Sequence, residues 1–394
     1  MRDIPASLED FSPDRLMAFA KTRTGLEDFG PGHFLTALGV LTDAIRQEAQ
    51  LNENGVGAMG ERLVNALANR LRRVALFKAH PEIAEQRVEV AALIVGLPRT
   101  GSTMLHRLLS ESPQLTAVRW WESVFPLPRD EGAGEVAGRK ADAERLVVDI
   151  MSSASGFDAI HPLDAHAYDE ELPLIEQSFM SNMPESMMYI PSYGEWLLGA
   201  DQADAYDELI DFLKIFQWQD PSRAGQKWVL KCPHHLTAVD TVLSKFPTAA
   251  IVMTHRPITK LMPSWYSMVG SLTGAYSDAD HAAPQAEHWT QRLRRNLVDM
   301  VAARNGAPAR FVDVDYRDLL EQPLVEARKV LEAAGLAVDA SDLDAWQGWL
   351  DGNRRDNRPS HQYSIEQYGL TRERLNADFA FYTEAYPMAA ATVA

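Results

Sequence analysis

The sequence predicts an α/β fold: a P-loop-like, mainly parallel sheet flanked by helices, with a helical cap at the N-terminus. Three observations carry this expectation. Short β-branched apolar runs alternate with helical patterns, as they do when a parallel sheet is covered on both faces. One run, within "LIVGLPRTGSTMLHRLL" (Leu93 to Leu109), passes through a glycine-bounded loop into a helical pattern, which is the context a phosphate loop requires. Residues 1–87, finally, read as helices, so the expected organisation is a cap over 1–87 and an α/β domain over 88–394.

The elements follow in order. In the cap, "GHFLTALGVLTDAIRQEAQL" and "GERLVNALANRLRRVALFKAH" place apolar residues three and four apart, with Gly and Asn marking the break between them. "VEVAALIVGL" is a buried strand ending at Gly96, and "STMLHRLLSES" is the helix after the loop. Residues 125–165 hold Pro, Gly and charges around the helical piece "EVAGRKADAERLVVDIMSSA", the composition of a lid. "DEELPLIEQSFMSNM" and "YDELIDFLKIFQWQ" read as helices. "KWVLKCP" and "AAIVMTH" are two more buried strands, joined by the helix "HLTAVDTVLSKF", and "ARFVDVDY" is a further strand. From "VEARKVLEAAG" onward the chain is a helix, an Arg-rich loop and a last helix.

Composition narrows the function classes. A net charge of −17 over 394 residues argues against a general nucleic-acid or anionic-membrane binder. Any phosphate site must then be a local basic pocket. The single cysteine, Cys232, allows no intramolecular disulfide. "MRDIPASLEDF" lacks the apolar core of a signal peptide, and no run reaches the ~18 residues of a membrane span. A cytoplasmic protein is expected.

The loop nearly matches the nucleotide-binding pattern G-x-x-x-x-G-K-S/T, but Ser102 stands in place of the lysine and the basic residue is Arg99. Such loops point backbone N–H groups and a helix N-terminus at phosphate oxygens. Gly96 and Gly101 permit that shape, and Ser102 and Thr103 add hydroxyls. Without the lysine that neutralises a triphosphate beside magnesium, ATP hydrolysis is disfavoured. Arg99 at the apex is expected to face a transferring group.

"GLPRTGSTMLHRLL" resembles the 5′-phosphosulfate loop of sulfotransferases that use 3′-phosphoadenosine 5′-phosphosulfate (PAPS), most closely the bacterial branch with G-x-P-R-S/T-G-S/T-T-x-L. The resemblance spans nearly the whole chain. It implies that Pro98, Arg99, Thr100, Gly101, Ser102 and Thr103 bind the 5′-phosphosulfate. The family's 3′-phosphate site, an arginine at a strand end and a serine eight residues on, is matched by Arg256 and Ser264 in "THRPITKLMPSWYS". Relatives carry R-D-P there, whereas Pro257 and Ile258 follow Arg256 here. Ser264 is expected in the first turn of the following helix. "WVLKCPHHL" resembles a K-x-P signature, which makes Lys231 a candidate catalytic residue. Metal binding by Cys232, His234 and His235 lacks a usual ligand set, so no metal is expected.

An acceptor hydroxyl needs a base. "IHPLDAHAYDEELPLIEQSF" offers His161, His166, Asp169, Glu170 and Glu171. Relatives carry an acidic pair here. Adjacent helical residues point ~100° apart, so one of Glu170 and Glu171 faces the site. Glu170 is the first candidate and His166 the second. "DVDYRDLLEQP" resembles the family's Y-E-D-L segment and makes Tyr316 an adenine neighbour. The tail "GNRRDNRPSHQYSIEQYGL" resembles the family's closing element, and Arg354, Arg355 and Arg358 could close over the 3′-phosphate. The co-product implied is 3′,5′-ADP. The expected acceptor is a small apolar alcohol, phenol, sterol or lipid. "SFMSNMPESMMYIPSYGEWLL" reads as an adaptable pocket or, more commonly, as core. Trp120 and Trp121 read as a pocket wall or a packed corner. The rivals are a P-loop kinase, with Asp313 or Asp315 holding metal, and a non-catalytic nucleotide-binding protein.

Overall fold

Five parallel strands form the spine of the computed structural model, which describes residues 4–128, 135–153, 163–353 and 365–390. They are β1 (Val90–Ile94), β2 (Leu115–Thr116), β3 (Lys227–Lys231), β4 (Ala250–His255) and β5 (Phe311–Asp315), in the spatial order β2-β3-β1-β4-β5. Every pairing is parallel. Side chains alternate between the faces, as strand geometry requires. Leu93, Leu230 and Ile251 enter one apolar cluster, while Ile94, Val229 and Val252 enter the other. The sequence reading found four of these strands. The fifth, β2, is two residues long, too short to show a period.

Because β1 lies between β3 and β4, the loop leaving it is flanked by the carboxyl ends of both neighbours. In open parallel sheets that crevice is where ligands bind. Lys231 ends β3, and Arg256 directly follows β4.

The cap consists of α1 (Pro13–Thr24), α2 (Phe34–Glu48) and α3 (Glu53–Ala79). Asn52 starts α3 by accepting the Gly55 N–H at 2.9 Å. The apolar faces of these helices share a cluster with Phe179, Met180, Met187, Met188, Tyr193 and Leu197. The Met-rich stretch is therefore core. Charge pairs add to the join: Arg73 meets Glu208 at 3.0 Å and Asp211 at 2.7 Å.

One reading changes in detail, and one left open is decided. "DEELPLIEQSFMSNM" is not one helix but Leu172–Ile175 and a 3-10 turn, Glu176–Ser178, ended by Phe179 at φ 62°. Trp120 and Trp121 form a packed corner with Ala143 and Ala165. Arg139, fully buried, ties the helix Glu135–Ser153 to that corner through the Phe125 carbonyl at 3.0 Å. The rest of the segment read as a lid, 129–134 and 154–162, lies outside the described residues. Among the described residues no helix is long and apolar enough to cross a membrane.

Candidate active site

The loop between β1 and α4 (Ser102–Ser110) holds an unusual backbone. Arg99 has φ 68° and Gly101 φ 86°. For a non-glycine residue the left-handed region costs about 1–2 kcal/mol, so surrounding contacts must enforce the turn at Arg99. The Thr100 hydroxyl donates to the Leu97 carbonyl at 2.6 Å. With that proton committed, Thr254 Oγ1, 2.6 Å away, must donate to Thr100. A Cβ on Gly96 would lie 2.0 Å from Thr254 Oγ1, so any side chain there breaks the link between β4 and the loop. A Cβ on Gly101 would lie 2.8 Å from the Tyr316 ring. Pro98 and Thr100 are buried, whereas Arg99, Gly101 and Thr103 keep partial exposure.

Arg99, Arg256, Ser264 and Tyr316 come together on the β4 side of the loop. Arg256 donates to the Arg99 carbonyl at 2.8 Å and lies over the Tyr316 ring, 4.4 Å from its centroid. Arg99 Nε donates to Ser264 Oγ at 3.1 Å. From the loop apex the Arg99 side chain thus reaches Ser264 through its Nε. Ser264 departs from its expected place. The helix runs Ile258–Gly274, so Ser264 stands in its second turn, beside Pro263. It still reaches Arg99, because β4 and this helix are one strand–helix unit.

Lys231 forms the centre of the β3 side. It is fully buried, yet its Nζ lies 2.5 Å from Glu170 Oε1, 3.3 Å from Thr103 Oγ1 and 4.0 Å from Asp169. Asp169 is held by Arg107 at 3.1 Å and accepts the Glu170 N–H at 2.7 Å. Glu171 diverges from Glu170, but not through helical phase: the helix begins at Leu172, with Glu171 as its N-cap and Glu170 outside it. Glu171 accepts the backbone N–H of Lys231 at 3.0 Å and the His235 ring at 2.5 Å. Burial pushes the Glu171 carboxyl up, but His235 and the Lys231 N–H outweigh it and hold the group below its ordinary value. His106, one helical turn past Thr103, is kept neutral: burial, then the Lys231 charge, lowers it to about 4.

Other candidates lie elsewhere. His166 is half exposed and pairs with Glu144 at 2.7 Å. His161, Arg354, Arg355 and Arg358 lie outside the described residues. Asp313 takes Arg304 at 2.6 and 2.7 Å and His255 at 2.8 Å. Asp315 pairs with Arg317 at 2.7 Å. Glu171, Cys232 and His235 place potential metal ligands within 4.8 Å of one another. Both His235 nitrogens are already engaged, by Glu171 and Tyr206. Burial, then Glu171, pushes the Cys232 thiol well above its usual range, away from the thiolate a metal needs. Sequence reasoning missed Thr254, Arg107, His106 and Tyr206, which carry no motif and reach the site only through packing.

A parallel sheet with a glycine-bounded strand-to-helix loop, and basic residues at the ends of both flanking strands, defines an α/β protein with two cationic side chains at one crevice. The sulfotransferase family profile matches residues 92–340. The crystal structure of sulfotransferase STF1 from Mycobacterium tuberculosis H37Rv is 30% identical with a TM-score of 0.77, over 94% of this chain and 98% of that one. Sulfotransferase STF9 from Mycobacterium avium shares the fold at a TM-score of 0.85 and 23% identity, over 95% of this chain and 97% of that one. No curated protein sequence matches the chain. The chain belongs to the sulfotransferase family.

Proposed function

We propose that the protein transfers a sulfuryl group from PAPS to the hydroxyl of a small acceptor, releasing 3′,5′-ADP. The observation that carries this reading is the placement of Lys231 and Arg256 on opposite sides of one strained loop. A donor with a phosphate at the 3′ position and a phosphosulfate at the 5′ position of one ribose needs two separate cationic points.

Arg256, Arg99 and Ser264 are assigned to the 3′-phosphate. Two guanidinium groups and a hydroxyl supply charge-assisted donors there. Tyr316, beneath Arg256, limits where that arginine can swing and lies beside the adenine. Thr100, Gly101, Ser102 and Thr103, at the start of α4, bind the 5′-phosphosulfate through the helix N-terminus; the tight packing of Gly96 and Gly101 supports that cradle. Lys231 stabilises charge on the departing 5′-phosphate oxygen. The acceptor oxygen attacks sulfur in line as the bond to that oxygen breaks, and Glu170 receives the acceptor's proton. His166 has no place in this scheme.

The kinase reading is weaker because arginines occupy Asp313 and Asp315. The apolar-acceptor expectation rests on the net charge of −17, which disfavours a sulfated polyanion, and the Met-rich stretch, being core, adds nothing to it. A cavity of about 580 Å³ opens elsewhere, beside Arg23, Glu61, Asn65, Asn69, Arg72 and Phe125.

The test is a thermal-shift comparison. 3′,5′-ADP should stabilise the protein at micromolar concentration, in EDTA as well as without it. ATP with magnesium should do so far less. Equal or greater stabilisation by ATP would sink the reading, and PAPS turnover against a panel of alcohols, phenols, sterols, lipids and glycans then identifies the acceptor.

A further inference from the structure

Glu170 and Glu171 are neighbours in sequence, yet they grip the same lysine at different points. Glu170 takes the ammonium at 2.5 Å, and Glu171 takes the backbone N–H at 3.0 Å. The second contact has a cause in the sheet. β2 pairs with β3 only at Lys227 and Trp228, so its backbone does not extend to the level of Lys231. The Glu171 carboxylate occupies that place and caps the strand.

Glu171 is itself held. Its side chain is 1% exposed, and its other oxygen accepts from His235 Nε2. His235 Nδ1 faces the Tyr206 hydroxyl at 2.8 Å. Burial pushes that hydroxyl well above its usual range, so it keeps its proton and donates it to Nδ1. This leaves the Nε2 proton for Glu171. The chain Tyr206–His235–Glu171–Lys231 N–H is then satisfied at every link, with one negative charge fixed behind β3. Tyr206 belongs to the long helix Ala203–Gln219, which anchors the chain in the main core.

We propose that Glu171, oriented by His235 and Tyr206, is a positioning residue for Lys231. It fixes the backbone from which the ammonium reaches the crevice and, through one peptide bond, fixes where Glu170 meets it. Lys231 and Glu170 are thereby closed into a ring: ammonium to Glu170, peptide to Glu171, carboxylate to the Lys231 N–H. The inference rests on the assignment of Lys231 and Glu170 to sulfuryl transfer. In-line transfer is sensitive to such placement, and a displacement of about 1 Å can cost roughly 100-fold in rate.

The experiment uses the full chain with PAPS and a turned-over acceptor, comparing Tyr206→Phe, Glu171→Gln and Lys231→Ala with the double variant Glu171→Gln/Lys231→Ala. Glu171→Gln should lower kcat roughly 10- to 100-fold, while 3′,5′-ADP affinity stays within about twofold. Tyr206→Phe, the milder change, should lower kcat several-fold with ADP binding likewise kept. In the Lys231→Ala background, adding Glu171→Gln should change kcat little, because its effect runs through the lysine. Equal losses in both backgrounds would overturn the proposal, as would a fall in ADP affinity that parallels kcat. If Glu171→Gln does not fold, Tyr206→Phe decides: unchanged kcat per folded molecule overturns the proposal. Should the wild-type protein bind 3′,5′-ADP and turn over PAPS while the variants match it, only this inference fails. A wild type inert to both overturns the assignment beneath it.

Discussion

Two charge clusters flank the sheet, one on its β5 side and one on its β3 side, and they are wired differently. On the β5 side, Asp313 receives both Arg304 donors and His255, whose other nitrogen meets the Tyr382 hydroxyl at 2.7 Å. Burial would raise the Asp313 carboxyl, but Arg304 and His255 outweigh it and hold the group well below the usual carboxylate range. That cluster is saturated by the protein. On the β3 side, Lys231 meets Glu170 and reaches Thr103, at the start of α4, at 3.3 Å. A saturated cluster acts as a staple between elements. A cluster with remaining capacity, beside a helix N-terminus, can exchange protein partners for a ligand.

Removing one group from each cluster sharpens the contrast. Lys231→Ala should have the largest effect, lowering kcat by roughly 100- to 1,000-fold with 3′,5′-ADP binding nearly intact. An unchanged kcat would place Lys231 among the staples. Asp313→Asn should cost about 2 kcal/mol of stability at pH 7, because it leaves Arg304 without its counter-charge. Its kcat per folded molecule should not move, and urea unfolding alongside initial rates separates the two. The pH dependence has a definite sign. Asp313 titrates lower in the folded chain than in the unfolded one, so its stabilisation is full above the unfolded value, about 4, and fades below it. The stability gap between wild type and Asp313→Asn should therefore shrink on acidification below about pH 4. A gap that widened in acid would contradict the wiring described. Ser264→Ala, the smallest change, removes one hydroxyl beside Arg99. It should weaken 3′,5′-ADP binding about fivefold, near 1 kcal/mol, with kcat unchanged. Isothermal titration checks it, and an equal loss in kcat would move Ser264 to the transfer side.

Much of the site was legible because its elements are local. Gly96, Gly101 and the residues between them sit within one strand–loop–helix unit, and Arg256 and Ser264 within another. Ser264 stands one turn deeper in its helix than expected, because the helix begins at Ile258, directly after Pro257. Arg99 was legible at the loop apex, whereas its left-handed backbone and its Nε contact with Ser264 belong to the tertiary structure. His166 looked suitable by chemical type alone, and its pairing with Glu144 depends on a helix distant in sequence.

The α/β architecture, four of the strands, the loop and its flanking basic residues were determined by the sequence alone. Hydrophobic period and glycine's backbone freedom act over a few residues and are written there directly. Only the tertiary structure decided which carboxylate takes the Lys231 ammonium and which its backbone. That choice depends on the backbone that enters the helix at Leu172, where Glu171 is the N-cap and Glu170 lies outside the helix. It also depends on where a two-residue strand stops and on a histidine and a tyrosine far along the chain. Such contacts bring together groups 29 to 64 residues apart, and no local pattern encodes them.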